Sequence, residues 1–595
     1  MAEEGDATCS IQWRNLRVRT KAGRQLLHGI SGIAVPGEVV ALMGASGAGK
    51  TTLLNSLLQR NLRGLVFEGE ILVNGQAIGK NVTNVSAYVQ QEDLFVGTLT
   101  VKEHLMIQAR LRLTCSTEER KSRVQAVMEN MLLSGSQASR IGIPGLVKGI
   151  SGGEMKRLAF ATEMLNNPPI LFCDEPTTGL DSHMAMTVVQ RLERLAADSG
   201  KTIICTIHQP SSEVFELFDK VVFLAQGRVA FHGIPHEAIL FFHDCGYTMP
   251  DHTNPADHYI DTLAIWPDNV DECKERCQQI ADKFEQDQLW ARLDQQMEGE
   301  RQMKRLEPHQ SNGIFQQILA LLIRYSLSNM RTPALMRAKI IQKVVMAGFL
   351  IALYFRSNHD QDGLLSLTGA LFYYISEMTY ATIYGVQAYM PFDFPLLVRE
   401  YHDGIYPVYV YYLARILSYL PLFTFDGMLM IAVSYFGIGF REHALPFFKA
   451  LINGVIVEWN VLALGVCVSA VAPSYAVAVS VTGPLLTALS ITGGLMVNVE
   501  QLPDWIGWVQ YLSWFRFGYE NFIVNEFDSS ESKFLCENHK GQTVDICFST
   551  GQEVMDMFSF HPDNFYPNWV VMITYTFGIY ALGYIGLVFR VLRAR

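Results

Sequence analysis

Charged residues are scarce in this chain of 595 residues. They make up 18% of the sequence, while hydrophobic residues (AVILMFWYC) make up 49%. Soluble domains carry roughly 25% charged residues, and disordered chains contain few apolar ones. The composition therefore excludes a disordered chain, argues against a wholly soluble protein, and favours membrane spans.

The chain has no excess of basic over acidic residues, and it contains few cysteines. Lys and Arg number 47 against 58 Asp and Glu, giving a formal net charge of -11. Nucleic-acid binding needs basic patches that neutralise phosphates, so we expect no nucleic-acid partner. The ten cysteines are too few for a disulfide scaffold. The first residues, MAEEGDATCS, lack the pattern of a secretory signal peptide, which predicts a cytosolic N-terminal half.

The chain divides into segments of different composition. Residues 1–265 alternate short β-branched runs with polar helical segments, which predicts a soluble α/β domain. Residues 266–312 are predicted to form a charged linker, and residues 313–336 an amphipathic connecting helix at the cytosolic membrane interface. Residues 337–595 are predicted to form an all-α transmembrane domain in a lipid bilayer.

Six apolar stretches in the last segment predict six spans, since a span needs about 20 residues. They cover residues 340–355, 364–390, 411–439, 446–471, 475–497 and 569–589. Basic residues precede the first stretch and follow the last, so we expect both termini in the cytosol. The long segment 498–568 then lies on the non-cytosolic side. Its Cys536 and Cys547 are expected to form a disulfide, with pairing between chains or two free thiols as alternatives.

A phosphate-binding motif follows the apolar run VVALM and precedes the helical run TTLLNSLL. In such a P-loop, backbone N–H groups surround the phosphates, the lysine reaches the β- and γ-phosphates, and the next hydroxyl binds Mg²⁺. The start of the following helix adds a favourable partial charge. The predicted nucleotide-binding residues are Gly44, Ala45, Ser46, Gly47, Ala48, Gly49, Lys50, Thr51 and Thr52, with Thr51 also a magnesium ligand.

Two adjacent carboxylates follow another apolar run, ILFC. Asp174 is predicted to bind Mg²⁺ directly or through water, and Glu175 to polarise the attacking water as a catalytic residue. A lone Asp-Glu pair is more often a solvated strand end. Further motifs in the same half of the chain favour the catalytic interpretation here.

The segment ISGGE resembles the LSGGQ signature of the ABC ATPases, in which a serine and two glycines before a helix form an anion-binding nest. This resemblance implies that the motif caps the γ-phosphate of an ATP held by the other subunit. The residues concerned are Ser151, Gly152, Gly153 and Glu154.

Three more single residues match the motifs of that family. Gln91, in AYVQQEDLF, matches the Q-loop that links Mg²⁺ to the membrane domain. Asp181, in GLDS, matches the D-loop, and His208, in TIHQPSS, matches the catalytic switch histidine. The aromatic residue on which many ABC domains stack adenine is missing, because its nearest position is about Thr20.

The order of an ATPase before a membrane domain, each present once, resembles the G (White) subfamily of ABC half-transporters. The segments NPAD and TIHQPSSEVFELFD also match. The resemblance implies an ATP- and Mg²⁺-dependent exporter of small amphipathic or planar molecules, such as pigment precursors. It implies a dimer, with a heterodimer preferred and a homodimer possible. A sterol, lipid or multidrug exporter is the main alternative, and an ATP-gated channel a further one. The membrane is that of the cell surface or of an intracellular granule.

Charged residues inside spans are costly and therefore functional candidates. Glu377, Asp426 and Glu458 lie in spans two, three and four. They form either a polar relay or substrate contact, or a buried salt bridge such as Asp426 with Arg415. These alternatives carry equal weight.

One face of span two and the end of span five complete the predicted substrate path. Tyr380 lies one helical turn after Glu377, and the resemblance implies an aromatic there that stacks flat substrates. Thr487 and Ser490 are predicted to line the cavity. The last two residues of this path, Leu495 and Met496, resemble the apolar plug between the cavity and the exit.

Overall fold

The computed structural model describes residues 8–60, 62, 64–143, 147–299, 312–331, 333–355, 361–387, 390–528 and 547–594. The chain forms two compact units. The first comprises Met1–Ala320 together with Glu400–Tyr406, and the second comprises Leu321–Arg399 and Pro407–Ala594.

Two β-sheets build the first unit. One is antiparallel with the strand order β2-β1-β4-β5, and the other has the order β10-β9-β3-β8-β7-β6. In the second sheet, only the edge strand β10 runs antiparallel to its neighbour, β9. The strands are β1 Ile11–Thr20, β2 Gln25–Ala34, β3 Val39–Met43, β4 Leu65–Val73, β5 Gln76–Ala77, β6 Ser86–Val89, β7 Ile170–Asp174, β8 Thr202–Thr206, β9 Lys220–Ala225 and β10 Arg228–Gly233.

The central strands β3, β7 and β8 are buried at every residue. Parallel strands that are covered on both faces need such continuous apolar runs. Because their carboxyl ends meet at one edge of the sheet, the segments after these three strands lie near each other. These segments hold the P-loop, Glu175 and His208, which the sequence predicts as functional.

Among the described residues, ten helices lie wholly within this unit and connect or cover the sheets. Several begin with a capping box, in which a Ser or Thr side chain and a Glu three residues later satisfy each other's backbone N–H groups, as at Thr100, Ser116 and Ser151. The helices are α1 Lys50–Leu57, α2 Val101–Arg112, α3 Thr117–Asn130, α4 Gly152–Met164, α5 Ser182–Ser199, α6 Ser212–Phe215, α7 Pro235–Asp244, α8 Pro255–Thr262, α9 Val270–Gln286 and α10 Gln288–Gly299.

The segment predicted as a charged linker is in fact partly a pair of docked helices, α9 and α10. Arg228 of β10 pairs with Asp282 at 2.6 Å and with Glu285 at 2.8 Å. Leu293 and Met297 of α10 are buried against Ile33 of β2. The compact α/β body therefore continues past residue 265, because one face of each charged helix is apolar and buries on the sheets.

Helices make up the second unit. Six of them match the six predicted spans. The connecting helix α11 ends at Met330, before the expected residue 336, and the next helix, α12, already begins at Pro333. The helices that begin or lie in this unit are α11 Ile314–Met330, α12 Pro333–Tyr354, α13 Gln361–Gln387, α14 Met390–His402, α15 Val408–Ile438, α16 Ala444–Val471, α17 Tyr475–Ile491, α18 Asp504–Gly507, α19 Trp514–Phe527, α20 Gly551–Met557 and α21 Phe565–Arg593. The predicted fold class, α/β followed by an all-α bundle, is confirmed.

By length and composition alone, three stretches among the described residues can cross a membrane: Val408–Ile438, Ala444–Val471 and Pro562–Arg593. The other candidate spans carry features that lower their apolarity or length. α12 contains Lys339 and Lys343, α13 contains Glu377, and α17 has only 17 residues.

The segment before the last span also contains a buried helix. α19 has 14 residues, nearly all of them buried. The Asn453 side chain of α16 donates to the Gly518 carbonyl at 2.9 Å, and Asn521 donates to the Phe565 carbonyl at 3.1 Å. Cys547 is disulfide-bonded. Cys536 lies outside the described residues, so its pairing with Cys547 stays a prediction.

Candidate functional site

The P-loop joins β3 to α1 through backbone conformations that favour glycine. Gly44 and Gly49 have φ of 145° and 107°. A Cβ on Gly44 would collide with the Leu224 carbonyl oxygen, and one on Gly49 would lie 2.8 Å from Leu27 Cδ2. Gly47 faces open space. The loop therefore has the tight turn and the free concave face that phosphate binding requires.

Lys50 lies at the start of α1 with its side chain folded over this loop. Its Nζ donates to the carbonyl oxygens of Gly44 at 2.6 Å and Ala45 at 3.1 Å. Burial lowers the pKa of Lys50, while Glu175 and Asp174 act in the opposite direction. A buried ammonium beside a ring of N–H donors fits the phosphates of a nucleotide.

The carboxylates after β7 are held by specific hydrogen bonds. Asp174 Oδ1 accepts from Thr206 Oγ1 at 2.6 Å, and Oδ2 accepts from the Tyr88 hydroxyl at 3.1 Å. Glu175 Oε2 accepts from Gln91 Nε2 at 2.6 Å and from Thr178 Oγ1 at 3.0 Å. The structure thus brings Gln91 and Glu175 together through a direct hydrogen bond.

The backbone at these positions is unusual. Glu175 and Gln209, the residue after His208, have φ of 48° and 43°. Non-glycine residues rarely adopt this left-handed region, and such strain is concentrated at functional sites. His208 is exposed at the end of β8. Asp181 accepts from the Met184 N–H at 2.9 Å and caps α5.

The signature segment forms the start of α4. Ser151 and Gly152 are exposed, as an anion-binding nest requires. A Cβ on Gly153 would lie 2.2 Å from the terminal methyl of Met184, so that flexible side chain would have to shift. The Glu154 carboxylate accepts from Ser136 Oγ and from the Ser151 N–H at 2.9 Å, and the Ser136 hydrogen bond is the main cause that lowers its pKa. Glu154 therefore holds Ser151 in place within the described chain.

Sequence motifs alone miss three residues of this centre. Tyr88 and Thr206 hold Asp174, and the Lys156 Nζ of α4 donates to the Gln91 carbonyl at 2.6 Å. Lys156 also pairs with Asp93 at 3.2 Å. Tyr88 and Thr206 lie within three residues of Gln91 and His208, at strand ends, which is a signal that could have found them.

In the second unit, the charges of spans one to three form a buried cluster. Lys343 Nζ lies 3.8 Å from Glu377 Oε1 and 3.9 Å from Asp426 Oδ2. Lys339 Nζ lies 4.0 Å from Asp426 Oδ2. Glu458 is fully buried and accepts from Thr382 Oγ1.

The suggested salt bridge between Asp426 and Arg415 is wrong. Arg415 pairs instead with Asp393 at 2.9 Å. Both Asp426 and Arg415 belong to α15, and eleven residues at a rise of 1.5 Å separate them by about 16 Å along that helix. Side chains cannot bridge that distance.

Tyr380 lies half-buried on α13, stacked on Tyr384 with ring centroids 6.5 Å apart. Glu377 lies one helical turn before Tyr380, and its Oε1 accepts from Gln342 Nε2 at 3.3 Å. An acid and two stacked aromatics therefore share one face of this helix, although Tyr384 did not figure in the predicted path.

The residues predicted on span five satisfy their hydroxyls locally. Thr487 Oγ1 donates to the Gly483 carbonyl and Ser490 Oγ to the Thr487 carbonyl, each at 3.0 Å. Leu495 packs on the hydrophobic core, whereas Met496 is 62% exposed. Of the two predicted plug residues, Met496 is therefore the one that presents its side chain to the outside of this unit.

The chain matches three family models, two of which share one description. The "ABC transporter" family matches residues 27–178. The "ABC-2 type transporter" family matches residues 316–527, and a second family of that description matches residues 208–281.

Proteins of known name are similar over nearly their whole length. The ABC transporter ATP-binding protein/permease wht-3 of Caenorhabditis elegans is 40% identical, over 98% of this chain and 95% of its own. Protein white of Drosophila melanogaster is 36% identical over 98% and 87%. The broad substrate specificity ATP-binding cassette transporter ABCG2 of Sus scrofa is 31% identical over 88% and 85%.

These matches agree with the geometry of both units. The chain is a multi-pass membrane protein that binds nucleotide and couples ATP hydrolysis to transport. Its family implies a dimer and a small-molecule substrate. The chain belongs to the ABC transporter family, as a half-transporter of the G (White) subfamily.

Proposed function

We propose that this chain is one half of an exporter that moves small amphipathic or planar organic molecules, such as pigment precursors, out of the cytosol. The contact between Gln91 and Glu175, beside the Asp174 carboxylate, carries the ATPase part of this proposal. Each ATP lies between the Lys50 side of one chain and the Ser151 side of another. Turnover therefore needs two chains.

Each residue of the nucleotide site has a proposed task. Lys50 and the P-loop N–H groups hold the phosphates, and Ser151 with Gly152 receives the γ-phosphate from the facing chain. Thr51, Gln91 and Asp174 supply the hard oxygen ligands that Mg²⁺ prefers, and Mg²⁺ neutralises phosphate charge when bound. Glu175 accepts a proton from the attacking water, and His208 completes the catalytic pair.

The substrate site is proposed on span two. Tyr380 and Tyr384 provide a stacked aromatic surface, and Glu377 lies one turn before Tyr380. Lys343 is shared between Glu377 and Asp426, so it neutralises Glu377 only in part. An acid beside aromatic rings suits a planar cation or hydrogen-bond donor, which favours aromatic amines.

The partner and the membrane belong to the same proposal. We expect a heterodimer with a second half-transporter, although a homodimer is chemically complete because both half-sites of this chain are intact. Both termini lie in the cytosol, in a plasma-membrane or granule protein. The broad substrate specificity that the name of the ABCG2 relative states supports multidrug export as the second candidate.

Transport into inside-out vesicles tests the proposal. Vesicles with the full chain and its co-purified partner should accumulate tritiated serotonin, a planar amine, only with ATP and Mg²⁺. Accumulation of a sterol or a neutral drug but not of the amine would favour the second candidate. Loss of a preformed gradient on adding ATP would instead indicate a channel.

A further inference from the structure

Three aromatic side chains lie exposed on the short stretch between span five and α19. Trp505 is 77% exposed, Trp508 58% and Tyr511 59%. The stretch consists of α18 and a 3₁₀-helix at Trp508–Leu512, which turn once about every three to four residues. Side chains three positions apart therefore share one side of it. We name these three residues the aromatic face.

Contacts on the other side of the stretch hold the aromatic face outwards. Val509 packs against the hydrophobic core, and Ser513 Oγ donates to the Leu489 carbonyl at 2.7 Å. The indole Nε1 of Trp508 donates to the Trp505 carbonyl at 3.1 Å. The Trp508 ring thus presents apolar surface, because its N–H is already satisfied within the chain.

A cation lies next to this face, near the start of α19. The Arg516 guanidinium carbon is 4.8 Å from the ring centroid of Tyr511 and 5.8 Å from that of Phe517. Its Nε and Nη1 are buried and donate to no acceptor in the described part of the chain. Ring contacts compensate the positive charge in part, but they leave the N–H donors unsatisfied.

The acid best placed to pair with Arg516 is engaged elsewhere. Glu520 lies one turn further along α19, where opposite charges commonly meet. Its carboxylate is buried and accepts instead from Asn564 Nδ2 at 2.8 Å and from Asn568 Nδ2 at 3.0 Å. Both carboxylate oxygens are used in this way. An anion from outside the helix bundle is therefore the natural partner of Arg516.

We propose that Arg516 and the aromatic face bind the phosphate group and the adjoining apolar part of one phospholipid. The stretch directly follows span five, so it meets the lipids of the leaflet in which that span ends. Under the proposed topology this is the non-cytosolic leaflet.

The chemistry of the two parts favours a lipid over other anions. Indole and phenol rings concentrate at membrane–water interfaces, because they combine an apolar body with a polar edge. A guanidinium presents parallel N–H donors that match two phosphate oxygens. One lipid supplies both an anion for Arg516 and apolar surface for the three rings. A carboxylate of a second chain would satisfy the cation alone.

Native mass spectrometry of the full-length chain in detergent tests the inference. Dioleoyl phosphatidylcholine should bind the wild type with a dissociation constant roughly fivefold lower than that of Arg516→Gln. Arg516→Lys should lie between the two, because lysine keeps the charge but loses the planar fork. The double variant Trp505→Ala with Trp508→Ala changes only exposed rings and should also weaken binding. A galactolipid with the same acyl chains carries no phosphate and should not distinguish the wild type from Arg516→Gln.

A second cation beside an exposed ring provides the matched control. Lys449 Nζ lies 5.7 Å from the ring centroid of Tyr566, which is 62% exposed. Lys449→Gln should leave phosphatidylcholine binding unchanged. Equal losses in Lys449→Gln and Arg516→Gln would indicate general charge attraction and overturn the site. Unfolding temperatures measured without lipid show whether each variant is folded, and Arg516→Lys carries the comparison if Arg516→Gln is unstable.

Two other occupants give different results in the same experiment. If a second chain supplies the acceptor, Arg516→Gln should lose the dimer mass while its phosphatidylcholine binding stays at the wild-type level. If the site takes a free anion, inorganic phosphate should displace the lipid from the wild type. Either result overturns the assignment to a phospholipid.

Discussion

The side-chain amide of Gln91 donates to the carboxylate of Glu175 over 2.6 Å, and Thr178 donates to the same oxygen. The proposed catalytic base is therefore hydrogen-bonded to the loop that we propose to bind Mg²⁺. These two donors fix the orientation of the Glu175 carboxylate. Binding of Mg²⁺ by Gln91 would exchange this contact for one to the attacking water.

The first prediction concerns the chemistry at this pair. Glu175→Gln should lower the ATPase kcat by roughly 10²–10⁴-fold, the range of general base catalysis. ATP affinity should remain within a few-fold, because Lys50 and the P-loop are unchanged. Steady-state hydrolysis and fluorescent-nucleotide binding measure the two effects. Glu118→Gln, at an 82% exposed side chain, is the control. Near-normal hydrolysis would remove Glu175 from its proposed role.

The buried charges of the membrane unit give the second prediction. Lys343→Met should destabilise the protein by about 3–5 kcal/mol, because it leaves Glu377 and Asp426 without a shared cation. The triple change that adds Glu377→Gln and Asp426→Asn should recover much of this loss. Thermal unfolding in detergent compares the variants. A single variant as stable as the wild type would mean that water already satisfies both acids.

Substrate selection gives the third prediction. Glu377→Gln should raise the KM for serotonin at least threefold while leaving a neutral planar compound unaffected, since only the cation loses an opposite charge. Tyr380→Ala should reduce transport of both compounds and spare basal ATPase activity. Val481→Ala, on an exposed apolar position of α17, is the matched control. Equal losses for both compounds in Glu377→Gln would contradict a charge-based contact.

A buried histidine gives the fourth prediction, on pH. His232 in β10 stacks on Trp13 with ring centroids 6.4 Å apart, and burial, with Lys220 as the second cause, lowers its pKa to about 3. Below pH 6.5 the unfolded chain binds a proton that the folded chain does not. The contribution of His232 to the free energy of unfolding should therefore fall by up to about 1.4 kcal/mol per pH unit as the pH drops from 6.5 to 3. Above pH 6.5 this contribution should stay constant.

Replacing that ring checks the sign of the effect. His232→Phe should flatten the fall of the unfolding temperature between pH 7 and pH 5, because phenylalanine does not titrate. His243→Gln, at a 63% exposed side chain, should leave the slope unchanged. Identical slopes for the wild type and His232→Phe would show that other groups govern acid sensitivity.

The features that sequence predicts well here are local ones. The span expected at 446–471 is the helix Ala444–Val471, and the one expected at 411–439 is Val408–Ile438. Run length and hydrophobicity decide such helices, and the P-loop motif encodes its own turn. The nucleotide-site residues follow from motifs whose spacing along the chain is itself informative.

What the sequence could not reveal depends on partners far along the chain. Arg14 donates to the Met297 carbonyl at 2.8 Å, across 283 positions, and this contact helps to dock a segment predicted as a linker. Arg60 and Asp403 are 343 positions apart. A buried charged residue indicates that an oppositely charged partner exists, but a single sequence does not show which residue that partner is. For this reason the salt bridge suggested between Asp426 and Arg415 is wrong.

The Arg60–Asp403 pair also limits which residue can stand just after the P-loop helix. A chain without an arginine at position 60 would leave the Asp403 carboxylate buried without its charged partner, a costly state in any version of this fold.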